Sequence, residues 1–128
     1  MSVSRAHLEK AVERLKAAEK LLQDGYYEDA VSRGYYAMYH AAKAALSTVD
    51  VFPRTHEGVV SEFGGRFVLT GVLPRDLGRD LADAKVARET YEYSPTATVG
   101  KPEAEMILAN AQQFVNAIKT LLEKQVQG

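Results

Sequence analysis

Ser32-Arg33-Gly34-Tyr35-Tyr36-Ala37-Met38-Tyr39-His40-Ala41-Ala42-Lys43-Ala44 decides how the rest of the chain is read. Four aromatic or imidazole side chains, an arginine and a glycine share fewer than four turns of a helix, where an ordinary core helix would carry Leu and Ile. The helix extends outward from this run to about Tyr27 and Ser47. Tyr27, Ala30, Gly34, Met38, Ala41 and Ala45 form its inner stripe, small enough to let a neighbouring helix approach closely. Arg33 and His40, seven positions apart, project from nearly the same side with Tyr36 between them.

On the N-terminal side, Leu8, Val12, Leu15, Ala18 and Leu22 recur at three- and four-residue steps, which predicts a first helix from about Ser4 to Gln23. Asp24-Gly25 stops it, with Gly25 as a left-handed cap. The alternating charges from Arg5 to Lys20 read as a solvated face. On the C-terminal side, Thr55 is the expected N-cap of a short helix that reaches Phe63 and is broken by Gly64-Gly65. Phe67, Val68 and Leu69 are then expected to plug the bundle as a connector. Pro74 is expected as the first residue of a fourth helix running to about Tyr91, with Asp76 in its first turn. Ser94 to Gly100 reads as a mobile loop, and Pro102 opens the last helix, whose inner face is Ile107, Ala111, Phe114, Ile118 and Leu121. No segment alternates with period two, so the expected fold is all-α: an up-and-down bundle of four long helices and one short one, in a single domain spanning residues 1–128.

Bulk properties narrow the function classes. A chain of 128 residues can bury roughly two-thirds of its unfolded surface. A net charge of −1 gives no global attraction to nucleic acid, so any such binding needs a local patch. Cysteine is absent, which removes disulfide and thiolate chemistry and fits a reducing cytoplasm. No apolar stretch approaches the roughly 18 residues of a membrane span. The three histidines lack metal-ligand spacing, and Gly64-Gly65 lacks the lysine of a phosphate loop, so no metal or cofactor is expected.

Arg88 is the leading candidate for chemistry. Leu77, Leu81, Ala84 and Tyr91 step along one line of the fourth helix, and Arg88 falls on that line where leucine is expected. A guanidinium there needs a carboxylate, carbonyls, water or an anionic ligand. One reading ties it to Glu92 near the helix end; the other makes it an anion site, with Tyr91 and Tyr93 as phenols that stack on a base or bond a phosphate. Arg33, Tyr36 and His40 form a second candidate lining, in which imidazole and cation supply proton transfer and phosphate binding. The alternative has His40 bonded to a neighbouring helix and Arg33 in solvent. His56 reads as an exposed first-turn residue, and His7 as surface.

Tyr26-Tyr27-Glu28-Asp29-Ala30 followed by the Ser32–Ala44 run resembles the first half of a HEPN domain, Thr55-His56-Glu57-Gly58-Val59-Val60 with Phe63 resembles its next block, and Arg88 with Tyr93, then Ala111, Phe114 and Val115, resembles its last. The resemblance spans about Ser4 to Leu122. It implies a prokaryotic helical bundle, commonly a homodimer, often encoded beside a small nucleotidyltransferase and acting on nucleotides or RNA in toxin–antitoxin systems. Ribonucleases of the family carry an Arg followed after four to six residues by His. Here the residue at that place is Tyr93, and the Arg33–His40 spacing lies in a different helix. The resemblance therefore implies a nucleotide- or RNA-binding component of such a module, with a metal-independent endoribonuclease using His40, Arg88 or Tyr93 as the alternative. A ligand-free helical dimerisation module is the third.

Overall fold

The protein, described for residues 2–127 by a computed structural model, is helical throughout its regular segments. Helix α1 spans Val3–Gln23, α2 Tyr27–Ser47, α3 His56–Phe63, α4 Arg75–Tyr93 and α5 Lys101–Gln127. No strand occurs among the described residues. The expected bundle is therefore the observed one.

Helix α1 begins where the Ser2 side chain accepts from the Arg5 amide. It ends in a complete left-handed cap: Gly25 has φ 85°, its amide reaches Leu22 O, and the Tyr26 amide reaches Leu21 O. That turn reverses the chain and lays α2 against α1. Helix α2 then packs against α1, α3, α4 and α5, which explains its composition. A helix surrounded by others has little room for large side chains. Ala30, Ala37, Ala41, Ala42, Ala44 and Ala45 are all fully buried. At Gly34 an added methyl would come within 3.3 Å of Leu108 on α5, so this crossing is as close as its smallest residue permits.

Phe63, Phe114, Met38, Leu46, Leu81 and Ile118 fill the centre. On α5 the expected inner residues Ile107, Ala111, Phe114 and Ile118 are buried, and Leu121 is half-buried at its edge.

Several boundaries differ from the expectation. Helix α3 ends at Phe63 as expected, but Gly64-Gly65 does not break the helical coil. Gly64 keeps helical angles of φ −59° and ψ −46°, and the chain widens into a π-helical segment over Gly64–Val68, closed by Leu69 N to Gly64 O at 2.9 Å. Each glycine costs a helix about 1 kcal/mol. Continuing the coil places Phe67 beside Phe63, ring centroids 5.6 Å apart, and buries both, which outweighs that cost. Phe67 is thus a plug, but Leu69 is not: it is 86% exposed. Pro74 precedes α4 as its cap, with ψ 149°, so the first helical residue is Arg75, and α4 runs two residues past Tyr91. Helix α5 starts one residue before Pro102. No helix is long and apolar enough among the described residues to cross a membrane.

Candidate ligand site around Arg88

Helix α4 buries Leu77, Leu81, Ala84 and Arg88 against the bundle, so the arginine occupies the leucine line. Arg88 is 8% exposed. Its Nη1 donates to Tyr36 Oη at 3.1 Å and to Glu92 Oε2 at 2.9 Å. Its Cζ lies 5.4 Å from the ring centres of both Tyr35 and Tyr36, close enough for cation–π attraction. Its Nε is buried and bonded to nothing among the described residues. A buried donor with no acceptor costs roughly 1–3 kcal/mol, more for a charged group.

Beside this arginine lies an open cleft of about 520 Å³ lined by Leu21, Asp29, Ser32, Arg33, Tyr36 and Glu92. Arg33 and Tyr36 therefore line one cleft, with Arg33 exposed at its wall and Arg88 buried behind it on the Tyr36 hydroxyl. Helix periodicity explains why: Arg33 and Tyr36, three apart, share a face of α2, while Arg88 and Glu92, four apart, share a face of α4.

The other expected residues lie elsewhere. His40 turns to α1, with its Nδ1 3.2 Å from Nδ1 of His7 and the two rings stacked at 5.4 Å. His7 is consequently half-buried rather than a surface residue. Tyr91 packs against the core near α5, and burial with the Glu103 carboxylate beside it pushes its phenol up to about 12. Tyr93 is 74% exposed.

The histidine pair predicts a pH dependence. Burial, then the charges of His7, Lys10, Arg14 and Lys43, lower His40 to about 4, and burial with Lys43 and Lys10 lowers His7. The unfolded chain takes up these protons below the ordinary value of about 6.5 while the folded one refuses them. Stability is therefore expected to be level above pH 7 and to fall as pH drops from about 6.5 towards 4. Solvent screening of this half-exposed pair limits the fall to about 1 kcal/mol. Urea unfolding at several pH values checks it: His40→Gln should flatten the slope, and equal slopes in both proteins would contradict the assignment.

Sequence reasoning missed one residue entirely. His56 is no exposed capping residue. Its Nδ1 is 2.6 Å from Tyr35 Oη, and its ring stacks on Tyr39 with centroids 4.5 Å apart. The capping is done by Thr55, whose Oγ1 accepts from the Gly58 amide at 2.9 Å. Lys85 secures this corner by pairing with Glu89 at 3.2 Å and Glu57 at 3.5 Å, tying the start of α3 to α4. The only sequence signal for His56 was its place in the Thr55–Val60 block.

Compared with known proteins, residues 4–121 match the model of the HEPN domain, and the chain belongs to the HEPN family. It is 39% identical over 122 residues to "Putative toxin MJ0605" of Methanocaldococcus jannaschii, covering 93% of this chain and 88% of that protein. "Putative toxin MJ0142" of the same organism is 36% identical over 115 residues, 90% of this chain and 78% of that one. The crystal structure of TT1696 from Thermus thermophilus superposes with a TM-score of 0.73 over 94% of this chain and 98% of that one, at 21% identity, which shows a shared fold.

Proposed function

We propose that the protein binds a phosphate-bearing ligand, a nucleotide or RNA, at Arg88 and acts as one component of a toxin–antitoxin module, working as a homodimer with a small nucleotidyltransferase as partner protein. The observation that carries the ligand reading is the buried guanidinium on the leucine line, with its Nε unpartnered. Hydrophobic packing alone would favour leucine or methionine there. The cleft wall carries Arg33 against Asp29 and Glu92, and Arg88, paired with Glu92 from behind the wall, balances the charge. An arriving phosphate takes the place of Glu92 on Nη1, and that carboxylate, whose side chain is 44% exposed, turns to water. Tyr36 accepts from Arg88, so its own proton is free for the ligand. The module reading is supported by family membership and by the names of the two archaeal relatives.

Calorimetric titration with nucleoside monophosphates and with a short single-stranded RNA tests the reading. Saturable binding that Arg88→Met abolishes is the expected result. Absence of binding to every nucleotide and RNA tried would leave only a helical interaction module. RNA cleavage that survives EDTA and is lost in Arg88→Met would make the site an endoribonuclease instead.

A further inference from the structure

Resting on the ligand reading just given, we propose that His56 completes the site as a neutral hydrogen-bond donor, presenting Nε2–H to a phosphate oxygen beside Arg88. Tyr35 is fully buried, and its hydroxyl has one partner among the described residues, His56 Nδ1. A buried hydroxyl gives its proton to the acceptor in reach. Burial also raises the Tyr35 phenol well above its ordinary value, keeping the proton there to be donated. Because Nδ1 accepts, the proton of the neutral imidazole sits on Nε2. Among the described residues Nε2 makes no hydrogen bond, and it is not one of the fully buried unpartnered atoms. It is an oriented donor with nothing to donate to.

The ring is held without Nε2. Tyr39 stacks on it at 4.5 Å, and Tyr36 meets it edge-on at 5.9 Å and 79°. His56 and Arg88 thus flank the same two rings, Tyr35 and Tyr36. Three helices supply the groups that face this corner. Tyr35, Tyr36 and Tyr39 come from α2, Glu57 from α3, and Lys85, Arg88 and Glu89 from α4. Burial, Arg88 and Lys85 lower the imidazole, while Glu57 and Glu89 oppose them more weakly, so it stays neutral near pH 7. The groups that flank the Tyr35 and Tyr36 rings are the Arg88 guanidinium and the His56 imidazole, and with the Tyr36 O–H and the His56 Nε2–H they make up the proposed donor set. All are donors, which matches the acceptor-only oxygens of a phosphate. Proton abstraction would need a lone pair on Nε2, and this tautomer places it on Nδ1. The role is donation.

Adenosine 5′-monophosphate and a short single-stranded RNA serve as probes for the full chain, its His56→Ala and His56→Gln variants, and Tyr35→Phe. Long-range 1H–15N spectra of the histidine rings report the tautomer in the unaltered protein, so the test does not depend on a variant folding. The expected results are a proton on Nε2, RNA affinity level from pH 6 to 8, where phosphodiesters do not titrate, and a loss of roughly five- to tenfold in His56→Ala. Recovery in His56→Gln is also expected, because its amide N–H reaches the same place. A proton on Nδ1, RNA affinity that climbs as pH falls below the ordinary histidine value, or His56→Gln binding no better than His56→Ala would overturn the proposal. If the unaltered chain binds neither probe, the ligand reading itself fails. If it binds and His56→Ala binds equally well, only the role of His56 fails.

Discussion

Replacing Arg88 by methionine is expected to leave the protein folded, with an unfolding free energy within about 1 kcal/mol of the parent, while affinity for a nucleotide phosphate drops about tenfold or more. The two effects separate because the arginine's partners do not need it. Tyr36 is half-buried at the cleft, and the Glu92 side chain is 44% exposed, so both regain water when the guanidinium is gone. The buried Nε loses its desolvation penalty. Methionine fills the slot after Ala84 with a flexible apolar chain of similar length. A charged hydrogen bond to phosphate contributes about 1.5–3 kcal/mol, which sets the expected loss of affinity. Urea unfolding and calorimetry on the same samples read both. A stability loss of several kcal/mol would mean that the guanidinium is a structural tie between α4 and α2.

Phe114→Ala is expected to cost about 3–5 kcal/mol and to lower Tm by roughly 10–20 °C. Phe114 is fully buried, and its ring lies 5.0 Å from Phe63, which packs in turn on Phe67 at 5.6 Å. The three rings join α5, α3 and the π-helical segment, so removing the α5 ring from the stack leaves a cavity that neighbouring helices cannot close. The same stack explains why the helical coil continues through two consecutive glycines after α3. A loss under about 1 kcal/mol in urea unfolding would show that the segment after α3 is held by something other than this stack.

Local chemistry made most of the architecture legible. Asp24-Gly25 marks a turn because Gly25 adopts φ 85°, a requirement visible in the residue itself. The limits of α2 and the buried line of α4 follow from spacing alone. What stayed hidden depends on which helices meet. Gly64-Gly65 reads as a break until Phe63 and Phe67 are seen sharing one pocket of the core. The Arg88–Glu92 pair, four residues apart, was legible; the Tyr36 hydroxyl, 52 positions away, was not. For the same reason His40 was placed near Arg33 by helix geometry, whereas its actual partner is His7 across the α1–α2 contact. His56 looked like a helix-start residue because nothing within a few positions of it announces that Tyr35 lies 2.6 Å away.

The most direct test follows the Arg88 Nε–H signal by 1H–15N NMR while adenosine 5′-monophosphate or a short RNA is added. A saturable shift of that one guanidinium resonance is predicted, together with shifts in the signals of Tyr36 and His56. Binding that leaves the Arg88 signal in place, or no binding at all, would contradict a phosphate site built on this guanidinium.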